Sequence, residues 1–196
     1  MSVAFAEARA AEARGEVPIG AAIARNGEVI ARAGNRTRED ADPTAHAEML
    51  AIRAAAQAIG DFRLADCDLY VTLEPCAMCA GAISHARLRR LYFAASDPKG
   101  GAVEHGPRFF NQPTCLHAPE VYGGIRETEA AELASDFHAA LLEKVKRSLL
   151  WFAASAECLV SIKAASVRLR SVMSRVEPAT ASTVPSAAIT GLNMYS

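Results

Sequence analysis

The period of apolar positions changes repeatedly along the chain, and each change marks an element. Residues 2–14 are Ala-rich, with charge interspersed at Glu7, Arg9, Glu12 and Arg14; this predicts a helix closed by Gly15. Ile19, Ala21 and Ile23 alternate within Pro18 to Ala24 and predict a strand. Asn26-Gly27 is a two-residue hairpin signal, and Glu28 to Ala33 returns as a second strand. After a polar loop from Arg36 to Pro43, Thr44 is placed to cap a helix that runs to about Ala58 and ends at Gly60. Leu69 to Leu73 reads as an apolar strand, residues 76–85 as a helix, and Arg89 to Ala95 as a strand with Leu91 and Phe93 alternating.

Asp97-Pro98-Lys99-Gly100-Gly101 is turn-rich, and residues 102–119, with Pro107, Pro113 and Pro119, read as a long loop. Val121 to Ile125 predicts a short last strand. Glu127 to about Phe152 predicts a long helix with Leu133, Phe137, Leu141, Leu142 and Val145 on one face. From about Ser171 the chain is rich in Ser, Thr, Ala and Pro without a pattern, so disorder is expected. The order α-β-β-α-β-α-β-(β)-α predicts an α/β fold with a mixed sheet covered by helices. The expected division is a domain over 1–152 and an extension over 153–196, partly helical and then disordered.

Composition adds three constraints. At 196 residues, 51% apolar and 22% charged, the chain fits one globular domain with length to spare. The net charge of −1 hides an asymmetry: residues 1–143 carry 14 Lys and Arg against 20 Asp and Glu, while residues 144–196 carry 7 against 2. Such a basic end suits either phosphate binding or a solvated tail. Five cysteines at uneven spacing argue against a disulfide framework and for a reducing compartment. Charges interrupt the first helix throughout, which argues against a signal peptide. The apolar run from Leu149 to Ile162 is shorter than the ~20 residues of a membrane span and contains Glu157. A cytoplasmic protein without a membrane partner is expected.

The candidate chemistry sits in Thr72-Leu73-Glu74-Pro75-Cys76-Ala77-Met78-Cys79 and, upstream, His46-Ala47-Glu48. Two cysteines two residues apart, directly after a Pro, can aim both sulfurs at one metal from a helix start, where free N–H groups stabilise thiolates. His46 can supply a third ligand, and three protein ligands with an open fourth position is the usual catalytic zinc arrangement. Alone, a C-x-x-C pair also suits a redox couple, or a structural zinc site completed by Cys67 or His85. The joint order H-x-E…P-C-x-x-C is the signature of the zinc nucleobase deaminases. In that setting Zn²⁺ on His46, Cys76 and Cys79 acidifies water, and Glu48, close to the metal but free of it, moves the protons. Glu74 reads as a loop-shaping residue that accepts backbone N–H groups. His85, His105 and His117 have no ligand spacing, and Arg87, Arg89 and Arg90 fit either a phosphate-facing edge or plain surface.

Residues from about Glu16 to Leu142 resemble the TadA-type tRNA adenosine deaminases of the cytidine deaminase-like superfamily. The motifs that carry the resemblance are Glu16-Val17-Pro18-Ile19-Gly20-Ala21, Gly34-Asn35-Arg36, Thr44-Ala45-His46-Ala47-Glu48, Tyr70 to Ala82, and Asp97 to Ala102. The resemblance implies a three-layer α/β/α fold with a mixed sheet of about five strands and a homodimer. It also implies zinc-dependent deamination of the wobble adenosine (A34) of a tRNA anticodon stem-loop to inosine. It places Asn35 at the ribose or base of the flipped nucleotide, although Asn after Gly at a strand end also suits a turn. Lys99 suits a phosphate contact or a solvated loop, and Lys144, Lys146 and Arg147 stand where the family grips RNA. The chain departs from the family in starting within the first helix, in carrying Phe137-His138 where two adjacent Phe are usual, and in its tail beyond about residue 150. Two other functions compete: a zinc deaminase of a small substrate (guanine, cytosine or a nucleoside), and a catalytically silent zinc- and RNA-binding subunit. The Asp97 to Ala102 loop favours the tRNA enzyme over the first, and an intact Glu48 argues against the second.

Overall fold

The computed structural model describes residues 1–173, with side chains through Phe152. It places ten elements in the order α1 (Ser2–Ala13), β1 (Gly20–Arg25), β2 (Glu28–Gly34), α2 (Ala47–Ile59), β3 (Cys67–Leu73), α3 (Ala77–His85), β4 (Arg90–Ala95), a 3₁₀ turn (Phe109–Asn111), β5 (Glu120–Tyr122) and α4 (Glu127–Met173). The strands form one sheet in the order β2-β1-β3-β4-β5. β1 pairs antiparallel with β2 and β3, whereas β3–β4 and β4–β5 are parallel. The sheet is therefore mixed, as the element order predicts.

The hairpin turns at Asn26 and Gly27, both at positive φ (52° and 85°). That is the backbone a two-residue turn needs to match strand twist, and Asn and Gly reach it at least cost. Alternation along β1 then sorts the layers. Ala21 and Ile23 join Ala47, Ala51, Leu69, Val71, Ile83, Leu91 and Phe93 in the core under α2 and α3. On the other face α1 lies almost on the backbone: a Cβ at Gly20 would meet Ala4 O at 2.1 Å. A smaller cluster of Phe5, Ala94, Ala95 and Ala130 ties the start of α4 to that face.

Several boundaries differ from the sequence pattern, among them the start of β3 at Cys67, not Leu69. β1 begins at Gly20, not Pro18, and β5 covers only Glu120–Tyr122, not 121–125. Thr44 does not cap α2: its N–H and hydroxyl both donate to Asp42 Oδ1 at 2.7 Å, and the N-cap position falls to His46. A side chain engaged in its own local turn is not free to serve the helix two residues later. α4 continues to Met173 rather than ending near Phe152, since the Ala-rich sequence beyond Phe152 contains neither Gly nor Pro to stop it.

Two compact units divide the chain, Met1–Glu143 and Lys144–Ser196. The disorder expected from Ser171 onward falls on residues 174–196, outside the described ones. No helix among the described residues is long and apolar enough to cross a membrane.

Candidate metal centre

Two helix starts converge on one point. His46 is the N-cap of α2 and Cys76 the N-cap of α3, each with extended backbone (ψ 150° and 174°), so both side chains project from the helix mouth. Cys79 follows in the first turn of α3 and is fully buried. Among the described residues this is the one group of three side chains able to hold a metal ion, with ligand atoms all within 4.8 Å of one another.

The spacing tests whether zinc fits. Tetrahedral Zn²⁺ with N at about 2.05 Å and S at about 2.3 Å puts those atoms about 3.6 Å apart. His46 Nδ1 stands 3.6 Å from Cys79 Sγ and 3.8 Å from Cys76 Sγ. Electrostatics agree. Hydrogen bonds from Cys79 and His46 hold the Cys76 thiol down at about 4, against the opposing effect of burial. The Cys79 thiol is pushed up by its bond to Cys76, by burial and by the nearby Glu48 charge. Without a cation, the depressed Cys76 and the raised Cys79 share one proton between them; a metal ion in the cluster takes that proton's place. The donor set therefore fits zinc, held by His46, Cys76 and Cys79.

Glu48 lies in the first turn of α2, 3% exposed. Burial raises its pKa, opposed by its own backbone N–H and by His46. Its Oε2 is the buried side-chain polar atom that lacks a hydrogen-bond partner among the described residues. An unpartnered buried carboxylate oxygen is costly, and here it is held beside the ligand cluster, where a reacting water or base can satisfy it.

The surrounding loops are built on two other buried carboxylates. Glu74 accepts backbone N–H groups from Asp97, Val103, Glu104 and His105, so it shapes the loop after β4 and leaves the metal to the cysteines. Glu16, 1% exposed, accepts from Asn35, Thr37, Arg38 and Glu39. Asn35 is buried at the end of β2, and the next residue, Arg36, donates its N–H to Ala45 O, directly before His46. That link brings the Asn35 segment to the metal site. Sequence reading missed Glu16 as part of this arrangement; its signal was a lone carboxylate ahead of Val17-Pro18, without a partner at any recognisable spacing.

The remaining candidates lie elsewhere. Lys99 is exposed on the turn where Asp97 Oδ1 accepts the Lys99 and Gly100 N–H groups. Cys67 opens β3 and is buried in the main core, and His85 ends α3; neither joins the cluster. Arg89 and Arg90 are spent on Asp68 and Glu120. Phe137 and His138 line a cavity of about 280 Å³ together with Val17, Ile19, Thr72 and Leu73. Lys144, Lys146 and Arg147 are exposed on α4.

Residues 1–95 match the family described as cytidine and deoxycytidylate deaminase zinc-binding region. The chain is 63% identical over 137 residues to a tRNA-specific adenosine deaminase of Agrobacterium fabrum, covering 70% of this chain and 90% of that protein. It is 44% identical over 146 residues to one of Bacillus subtilis, covering 74% and 91%. A solved structure from work on A-to-I editing by tRNA:A34 deaminases at the wobble position of transfer RNA superposes with a TM-score of 0.67. That structure is 64% identical, over 68% of this chain and 96% of its own.

Proposed function

From a chain that belongs to the tRNA-specific adenosine deaminases, we infer zinc-dependent hydrolytic deamination of adenosine to inosine at the wobble position (A34) of a tRNA anticodon. The observation that carries this reading is the buried, unpartnered Glu48 Oε2 beside a His46, Cys76, Cys79 cluster of zinc dimensions.

Zinc, when bound, supplies a water acidic enough to act as a nucleophile at neutral pH. Glu48 takes the proton released as the water oxygen bonds to C6 of the base. It delivers that proton to the ring nitrogen next to C6, then carries the second proton from the new C6 hydroxyl to the amine, which leaves as ammonia as the carbonyl of inosine forms. A carboxylate serves all these transfers only if it is close to the metal and does not bind it, and the position two residues after His46 provides this. Asn35 holds the flipped nucleotide at its sugar or base, and Lys99 meets a phosphate beside it. Lys144, Lys146 and Arg147 add affinity for the stem. The deaminase domain is taken to span 1–152, with 153–196 as an extension.

The reading extends to a cytoplasmic homodimer. Four free cysteines among the described residues suit a reducing compartment, and the dimer is carried by the family resemblance. Light scattering of the purified protein checks the second point.

The test of function is incubation with anticodon stem-loops carrying A34, scoring inosine beside turnover of free adenosine, cytosine and guanine. Inosine in the stem-loop with inert free bases supports the reading; turnover of a free base with an inert stem-loop overturns it in favour of a small-substrate deaminase.

A further inference from the structure

Glu16 is a buried residue outside the metal cluster, and every hydrogen bond its carboxylate oxygens accept comes from one short loop. Oε1 accepts the backbone N–H groups of Arg38 and Glu39, both at 2.8 Å. Oε2 accepts from Asn35 Nδ2 and from the Thr37 hydroxyl, both at 3.2 Å. Burial pushes the Glu16 carboxyl up, but these four donors outweigh it and the group is held below its ordinary value.

The bonds fix which way the Asn35 amide faces. Nδ2 has two hydrogens: one goes to Glu16 and the other to Thr37 Oγ1 at 3.1 Å, whose own hydrogen is already given to Glu16. An amide flip would set the carbonyl oxygen against an ionised carboxylate, an acceptor facing an acceptor. Asn35 Oδ1 has no hydrogen bond among the described residues, and it is not a buried orphan, since only Glu48 Oε2 is. It is thus an open acceptor on a segment tied through Arg36 and Ala45 to His46.

We propose that Glu16 is a positioning residue for the deaminase site: it locks the Asn35 side chain so that its carbonyl oxygen, and not its NH₂, meets a hydrogen-bond donor of the bound nucleotide. This rests on the reading that Asn35 contacts the nucleotide. Glu16→Gln is near-isosteric but puts an NH₂ among four donors, so the loop loses one acceptor and the amide its fixed orientation.

The experiment is a double-mutant cycle on kcat and KM for an anticodon stem-loop, using Glu16→Gln, Asn35→Ala and the pair, with zinc content and melting temperature recorded for each. Each single variant is expected to raise KM about tenfold, the scale of one lost hydrogen bond, with kcat nearly held. The pair is expected to match Asn35→Ala alone. A double variant showing the product of the two single effects overturns the proposal while leaving Asn35 in its role. An unchanged KM for Asn35→Ala overturns the role of Asn35, and that of Glu16 with it. Should Glu16→Gln fail to fold, Thr37→Val frees one amide hydrogen and takes one donor from the carboxylate, but leaves its charge and its bonds to Asn35, Arg38 and Glu39 in place. Its smaller rise in KM is expected to vanish in the Asn35→Ala background, and persistence there overturns the proposal.

Discussion

His105 Nδ1 lies 2.7 Å from Glu74 Oε2, and the same carboxylate accepts the N–H groups of Asp97, Val103, Glu104 and His105. Glu74 thus fastens the loop after β4 to the strand that leads into Cys76. Burial pushes its pKa up, but the N–H groups of Asp97, His105 and Glu104 and the His105 imidazole prevail and hold it at about 2.

Glu74→Gln is therefore expected to destabilise the fold by about 2–3 kcal/mol at neutral pH, the value of charge-assisted hydrogen bonds lost in a buried site. The sign of the pH dependence follows from a depressed pKa. The contribution is complete above the ordinary 4.5 and is lost as pH falls toward about 2. Urea denaturation of both proteins across that range should show the gap closing in acid. A gap that stays constant down to about pH 3 would mean that the carboxylate charge contributes nothing.

The metal site makes a stoichiometric prediction. Wild type is expected to hold one zinc per chain, and Cys79→Ser to lose it on dialysis, because Cys79 is fully buried and 3.6 Å from His46 Nδ1. Elemental analysis decides this. Full zinc retained by the variant would show that another side chain completes the site.

Glu48→Gln is expected to keep the zinc and lose turnover. General acid–base groups typically contribute about 10²–10⁴-fold, and one group here serves several transfers, so the upper end is expected. Single-turnover inosine formation on a stem-loop measures it. A variant within about tenfold of wild type would remove Glu48 from the chemistry.

The contrast between these residues shows what a sequence exposes. Cys76 and Cys79 stand at a short, fixed spacing that metal chemistry imposes, and His46 precedes them in a known order, so the three side chains able to hold a metal were legible in the sequence. The hairpin was legible too, because Asn26-Gly27 specifies a local backbone. Glu16 was not: its partners lie 19–23 residues away on another strand end and loop, and no periodicity marks a carboxylate whose whole role is tertiary. The Thr44 cap failed for a related reason, since its hydroxyl donates to Asp42 in a local turn instead of accepting from the free N–H groups of the helix. The end of α4 went wrong because apolar periodicity marks only the packed part of a helix, while the sequence beyond Phe152 keeps helix propensity without that pattern.

The last prediction concerns affinity for RNA. Residues 1–143 carry 20 acidic against 14 basic side chains, so attraction to a polyanion must come from local patches. Several arginines of that region are spent internally, on pairs such as Arg9–Glu129, Arg36–Asp40, Arg89–Asp68 and Arg90–Glu120. Lys144, Lys146 and Arg147 bring three cations within four residues of an exposed helix. Phosphate contacts release counterions, so each one adds about 0.7–0.9 to the slope of log affinity against log salt. Replacing all three by Gln is expected to weaken stem-loop binding at low salt and flatten that slope by about 2–3, one contact per residue. Removing only contacts to the stem should raise KM and leave kcat nearly unchanged, because the same binding energy is lost from the bound ground state and the transition state. Filter binding across a salt series, with steady-state kinetics beside it, measures both. Wild-type affinity and slope in the triple variant would reduce the patch to a solvated helix surface, and RNA recognition would then have to reside in the loops around the metal centre.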